Sequence, residues 1–169
     1  MKLHIQNKFT SELPADPNEI NLPRQVQEAC FSYVLPKKPS NPSLIHASSE
    51  VANAIGLSQE DILSTEFLNI FSGSTIYPET KPFALSYAGH QFGNWAGQLG
   101  DGRAINLTEV VHEKKSYTLQ LKGAGPTPYS RTADGFAVLR SSIREYLCAE
   151  AMHYLGVPST RSLVLMLSG

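Results

Sequence analysis

The sequence predicts an α+β fold, an antiparallel sheet with a glycine-rich hairpin and a packed helix, preceded by a partly helical N-terminal extension. Three observations carry this expectation. Two strand-like runs between Arg103 and Lys122 flank the polar turn Glu113-Lys114-Lys115, and in the second run Leu119 and Leu121 alternate with Thr118, Gln120 and Lys122. Immediately before them stands Gly97-Gln98-Leu99-Gly100-Asp101-Gly102-Arg103. After them, residues 136–155 carry Leu139, Ile143, Tyr146, Leu147, Met152 and Leu155 at amphipathic helical spacing, and Gly156 with Pro158 stops the helix.

In chain order, residues 1–29 are polar and interrupted by Pro14, Pro17 and Pro23, so they read mostly as loop with short helical turns at most. Phe31 to Leu35 is a strand ended by Pro36-Lys37-Lys38-Pro39. Ser48 or Ser49 caps a short helix through Val51, Ala54 and Ile55, stopped by Gly56. Ser58 and Asp61 form a capping box for a second helix, with Ile62, Leu63, Phe67 and Leu68 on its apolar side, running to near Gly73. A proline-punctuated connection follows, and residues 84–97 read as irregular strand leading into the Gly97–Gly102 turn. Residues 123–134 form a loop, Asp134 is placed to cap the long helix, and Arg161 to Leu167 returns as a strand before Ser168-Gly169. The expected division is an N-terminal extension over residues 1–82 and a lobe over residues 83–169.

The composition is globular, with 41% hydrophobic and 17% charged residues. A net charge of −1 supports neither a nucleic-acid surface nor an anionic-membrane surface. No apolar run is long enough to span a bilayer and no signal pattern opens the chain, so the default location is the cytoplasm. Cys30 and Cys148 form no metal-ligand cluster, and the five histidines have no ligand spacing. His90, beside Phe92 and Trp95, reads as a hydrogen-bonded structural residue.

Closely spaced glycines let backbone N–H groups approach phosphate oxygens without a side-chain clash. Here no Gly-Lys-Ser/Thr follows, and a strand rather than a helix comes next, so neither a P-loop nor a dinucleotide fingerprint is present. Taken alone, these glycines read more readily as a hairpin turn than as a cradle. Lys122 ends a strand on its polar face. Glu145 shares a helix face with Val138, Ser142, Ala149 and Met152, which predicts contact with the sheet, and a carboxylate held there needs a cation. Lys122 is the natural partner. A glycine-rich hairpin, a strand lysine and a helix glutamate in this order form the nucleotide-clamping half of a protein kinase. Two features depart from that pattern: Asp101 and Arg103 at the turn, and the loop of residues 123–135, which adds Arg131 and is expected to set Gly135 at a helix N-terminus as an anion site.

Three stretches resemble the selenoprotein O family (SelO, called YdiU in bacteria). They are Tyr87-Ala-Gly-His-Gln-Phe-Gly-Asn-Trp-Ala-Gly-Gln-Leu-Gly-Asp-Gly-Arg103, Gln120-Leu-Lys-Gly-Ala-Gly-Pro-Thr-Pro-Tyr-Ser-Arg-Thr-Ala-Asp-Gly135 and Val138-Leu-Arg-Ser-Ser-Ile-Arg-Glu-Tyr-Leu147. The resemblance implies a pseudokinase-like fold that transfers AMP from ATP to protein Ser, Thr or Tyr hydroxyls with release of pyrophosphate, the ATP being flipped relative to kinases. By motif position it implies nucleotide contacts from Gly100, Gly102, Arg103, Lys122, Asp134 and Gly135, with Glu145 holding Lys122. It also implies Mg2+ or Mn2+, and UMP transfer from UTP is the alternative within the class.

In the family the general-base Asp, the metal-binding Asn and Asp and two further phosphate-contacting arginines lie in a C-terminal lobe, so the resemblance implies that their counterparts lie beyond Gly169. No catalytic residue and no metal ligand is therefore expected within the chain, and the 169 residues alone are expected to bind nucleotide weakly and to transfer nothing. Cys30 and Cys148 do not correspond to the family's C-terminal redox residue. A non-catalytic nucleotide-binding or interaction fragment and an ordinary kinase acting at the γ-phosphate are the rival readings.

Overall fold

The computed structural model describes residues 1–169. In chain order its elements are α1 (Lys8–Glu12), β1 (Phe31–Tyr33), β2 (Ser43–Ala47), α2 (Ser49–Ala54), α3 (Gln59–Ile62), α4 (Thr65–Phe71), β3 (Phe83–Leu85), β4 (Ala88–Gln91), β5 (Asn94–Gln98), β6 (Ala104–His112), β7 (Lys115–Lys122), α5 (Leu139–Tyr154) and β8 (Val164–Leu167). The fold is α+β with antiparallel sheets. A four-stranded sheet has the order β1-β3-β6-β7, and two-stranded sheets pair β2 with β8 and β4 with β5. Strands from residues 1–82 are thus built into sheets with strands from residues 83–169.

The β6–β7 hairpin forms where the alternation demands it. Its turn narrows to Glu113-Lys114, both left-handed at φ 47° and 63°, the two-residue geometry whose twist matches the flanking strands. Leu119 and Leu121 point inward beside Leu107 and Val110, and α2, α3 and α4 cover this face with Ala52, Ile62, Phe67, Ile70 and Phe71. A second, smaller cluster buries Val34, Ala84, Ile105 and Tyr129, with Ile105 opposite Leu121 in the sheet.

Local signals set the helix starts. Ser48 caps α2, and Ser58 and Asp61 form the expected capping box on α3. The single helix expected from Ser58 to Gly73 is two helices. Ser64 adopts an extended conformation and its hydroxyl accepts the Phe67 N–H at 3.1 Å, so a second cap interrupts the run and turns Leu63 out to 74% exposure. Strand β2 had no counterpart among the expected elements. Its residues are nearly all exposed, so no alternation marks it, and its pairing comes from β8 at the far end of the chain, Ser43 opposite Leu167 and Ala47 opposite Val164. The chain end is drawn to the same place: the Ser40 and Asn41 N–H groups both donate to the Ser168 carbonyl oxygen, and Gly169, at φ 89°, lies against Asn41.

Two further expectations are corrected. The hairpin turn lies at Phe92-Gly93 (φ 52° and 80°), because β4 pairs with β5; Gly97 and Gln98 end β5, and residues 99–103 link it to β6. The long helix also starts later than its apolar pattern implies. Its N-cap is Val138, which makes no side-chain cap bond, and the Asp134 carboxylate accepts the Phe136 N–H at 3.0 Å in the preceding turn. Gly135 therefore lies before the helix and not at its first turn. Nor does α5 bury its apolar stripe on the sheet: Ala149 is its only buried residue, it lies on β8, and Leu147 and Leu155 are 64% and 75% exposed. The sheet face is already filled by α2–α4. No helix is long and apolar enough to cross a membrane.

Candidate functional site

A pocket of about 460 Å3, within the range of small-molecule sites, opens where the β5–β6 link meets the end of β7 and the loop of residues 123–135. Its lining includes Gly100, Gly102, Arg103, Lys122 and Gly135, residues 35 positions apart in sequence at the extremes. The polar alternation of β7 brings Gln120 and Lys122 to the pocket together. Tyr87 and Phe136 add aromatic walls. Of the expected contacts only Asp134 is absent from the lining; its carboxylate serves the turn before α5. Gly169, beyond which the general base is expected, is not in the lining either; it sits with the β2–β8 pair.

Lys122 Nζ donates to Glu145 Oε1 at 2.6 Å, the pairing expected from the sequence. Burial is not its cause. Glu145 is 46% exposed and Lys122 45%, so no desolvated carboxylate demands a cation, and a surface pair of this kind contributes only about 0–1 kcal/mol to stability. What the pair does is positional. It engages one of three ammonium donors and leaves two free on a residue that lines the pocket.

The other wall is held rigidly. A Cβ on Gly100 would lie 2.5 Å from the Tyr129 ring, and one on Gly102 would lie 3.0 Å from the Tyr129 carbonyl oxygen. Gly135 is tighter still, with a Cβ 2.1 Å from the Gly125 backbone and φ +76°. Tyr129 is buried beneath the turn, and its hydroxyl pairs with Ser32 Oγ at 2.8 Å. Ser32 in turn donates to Asp16 at 2.9 Å, which also accepts from Arg24. The N-terminal segment thereby braces the pocket from behind. No feature of the sequence pointed to Asp16, Ser32 or Tyr129; their partners are distant in sequence.

Asp101 is the only carboxylate in the lining. Burial pushes its carboxyl up from the ordinary value, opposed by bonds from the Leu85 N–H and the Asn106 amide and by the charge of Lys122. Arg131 belongs elsewhere. It lines a separate hollow of about 520 Å3 with Arg24, Gln25, Gln91 and Gln98, so the expected contribution of this arginine to the phosphate site is not found. The structure contains no cluster of three or more His, Cys, Asp or Glu residues able to hold a metal.

Residues 20–169 match the family model described as protein adenylyltransferase SelO. A protein nucleotidyltransferase YdiU from Flavobacterium johnsoniae is 72% identical over 167 residues, covering 99% of this chain and 32% of that protein. Proteins of the same name from Rhodopirellula baltica and Aromatoleum aromaticum are 58% and 56% identical, each over 99% of this chain and 31% and 33% of the relative. The chain belongs to the SelO family. It spans about a third of the length of the curated relatives it matches, as the N-terminal portion.

Proposed function

We propose that this chain is the nucleotide-gripping, kinase-like N-lobe of a protein adenylyltransferase, with residues 1–82 as an extension that braces it. The observation that carries the reading is the convergence of Gly100, Gly102, Arg103 and Lys122 on one pocket, with Glu145 bonded to Lys122 at 2.6 Å. A triphosphate needs cations and closely approaching backbone donors. Arg103 supplies a planar fork, Lys122 a point charge held by Glu145, and the glycines close approach. These groups read the triphosphate shared by ATP and UTP.

Nucleotidyl transfer to a protein Ser, Thr or Tyr hydroxyl forms a bond from that oxygen to the α-phosphorus and releases pyrophosphate. The work of these residues in that step is positioning and charge neutralisation. The single lining carboxylate, Asp101, already accepts two internal hydrogen bonds, so the chain's residues do not fit a resident Mg2+ or Mn2+. The general base and the metal ligands would come from residues beyond Gly169, and the chain alone would transfer nothing.

The test uses a protein of the relatives' length that carries this sequence. Label retained from ATP labelled at the α-phosphate and not from γ-labelled ATP supports adenylyl transfer. Retention of the γ-label points to an ordinary kinase, and retention of neither to a binding module. Self-labelling by the 169-residue chain would refute its assignment as a gripping half without catalytic groups.

A further inference from the structure

The turn from Gly100 to Arg103 has four consecutive carbonyl oxygens, and each accepts a hydrogen bond from within the protein. Gly100 O accepts the Gly102 N–H at 2.9 Å and Arg103 O accepts the Gly123 N–H at 2.7 Å. Asp101 O accepts the Thr127 hydroxyl at 2.7 Å, and Gly102 O accepts the Ser130 hydroxyl. One oxygen of the Asp101 carboxylate, Oδ2, is held in the same way, taking the Leu85 N–H at 3.1 Å and the Asn106 Nδ2–H at 3.2 Å. Asn106 is in turn fixed by Gln120, which donates to its Oδ1 at 2.9 Å.

We propose that Thr127 and Ser130, with Asn106 at one oxygen of the Asp101 carboxylate, are positioning residues that mask acceptor oxygens of this turn, so that these oxygens are not turned toward an anion in the pocket. Carbonyl and carboxylate oxygens directed at a phosphate would repel it, and in a partly desolvated pocket that repulsion is amplified. Thr127 is the centre of the device. It is fully buried, its hydroxyl donates to Asp101 O while accepting the Tyr129 N–H at 3.1 Å, and its own N–H bonds Ser130 Oγ at 2.7 Å. One threonine thus ties both masking hydroxyls to each other. The mask selects for phosphate-rich ligands and against ligands that bind by donating hydrogen bonds.

This inference rests on the nucleotide reading of the pocket, and the test separates the two. Inorganic tripolyphosphate and ATP are titrated into the 169-residue chain, followed by the amide NMR signals of Gly100 and Gly102, for wild type, Lys122→Ala, Thr127→Val and Thr127→Ser. Thr127→Val leaves the Asp101 carbonyl oxygen without its donor and is expected to weaken tripolyphosphate binding by about tenfold or more. Thr127→Ser, which keeps the hydroxyl, recovers most of that loss. Equal affinity of Thr127→Val and Thr127→Ser in their folded fractions overturns the mask, while binding that disappears only in Lys122→Ala leaves the nucleotide reading standing. Wild type that binds neither ligand at millimolar concentration removes both. If Thr127→Val does not fold, Ser130→Ala against Ser130→Thr makes the same comparison at the Gly102 carbonyl oxygen: the variant that keeps the hydroxyl recovers affinity, and failure to recover it overturns the proposal.

Discussion

The two walls of the pocket are built on opposite principles. The wall formed by the Gly100–Arg103 turn and the loop of residues 123–135 is packed to the limit of contact and hydrogen-bonded through Thr127 and Ser130. The wall at the end of β7 is Lys122, tied by one exposed ion pair to α5, a helix that lines no part of the pocket and buries only Ala149. Close packing allows one shape, whereas a single surface ion pair leaves its elements free to shift. The first wall is therefore preorganised for a ligand, and the second is the part able to adjust around it.

That contrast can be broken by substitution, beginning where the effect is largest. Tyr129→Ala removes a buried ring from under Gly100 and should cost about 3–5 kcal/mol in urea unfolding. A cost under about 1 kcal/mol would show that the wall is not rigid. Gly135→Ala combines left-handed strain with a backbone clash and should cost about 2–4 kcal/mol. On α5, Leu147→Ala should stay within about 0.5 kcal/mol, since the side chain is 64% exposed; a large loss would mean that the helix is packed after all.

The smallest effect concerns pH. Burial raises the folded-state pKa of Asp101, so the folded chain holds this proton more tightly than the unfolded one. Stability from this group is greatest below the ordinary carboxylate value and is lost as pH rises through the raised value. Asp101→Asn, which has no proton to lose, should gain on wild type as pH rises from acid to neutral. Urea midpoints for the pair that run parallel across that range would remove this account of the carboxylate.

The sequence shows some of this and hides the rest for physical reasons. The β6–β7 hairpin is legible because one face is buried and the other is not, which writes alternation into Leu119, Leu121 and Lys122. Caps at Ser48 and Ser58 are legible because their bonds are local. The Lys122–Glu145 pair was found from order along the chain, although the burial argument for it fails at 46% exposure. What stayed hidden is long-range. Strand β2 has no buried face, the α5 stripe promised a packing site that α2–α4 occupy, and the masking hydroxyls of Thr127 and Ser130 bond to carbonyls whose nearness only the folded chain creates.

The central claim is that Gly100, Gly102, Arg103 and Lys122 form one triphosphate site. The most direct measurement is an ATP titration of the wild-type chain and Lys122→Ala, read at the Gly100 and Gly102 amides, with a thermal melt of each. The account predicts saturable shifts in wild type that vanish in Lys122→Ala, while the variant's stability stays within about 1 kcal/mol because only an exposed ion pair is lost. Shifts of equal size in a folded Lys122→Ala would contradict it.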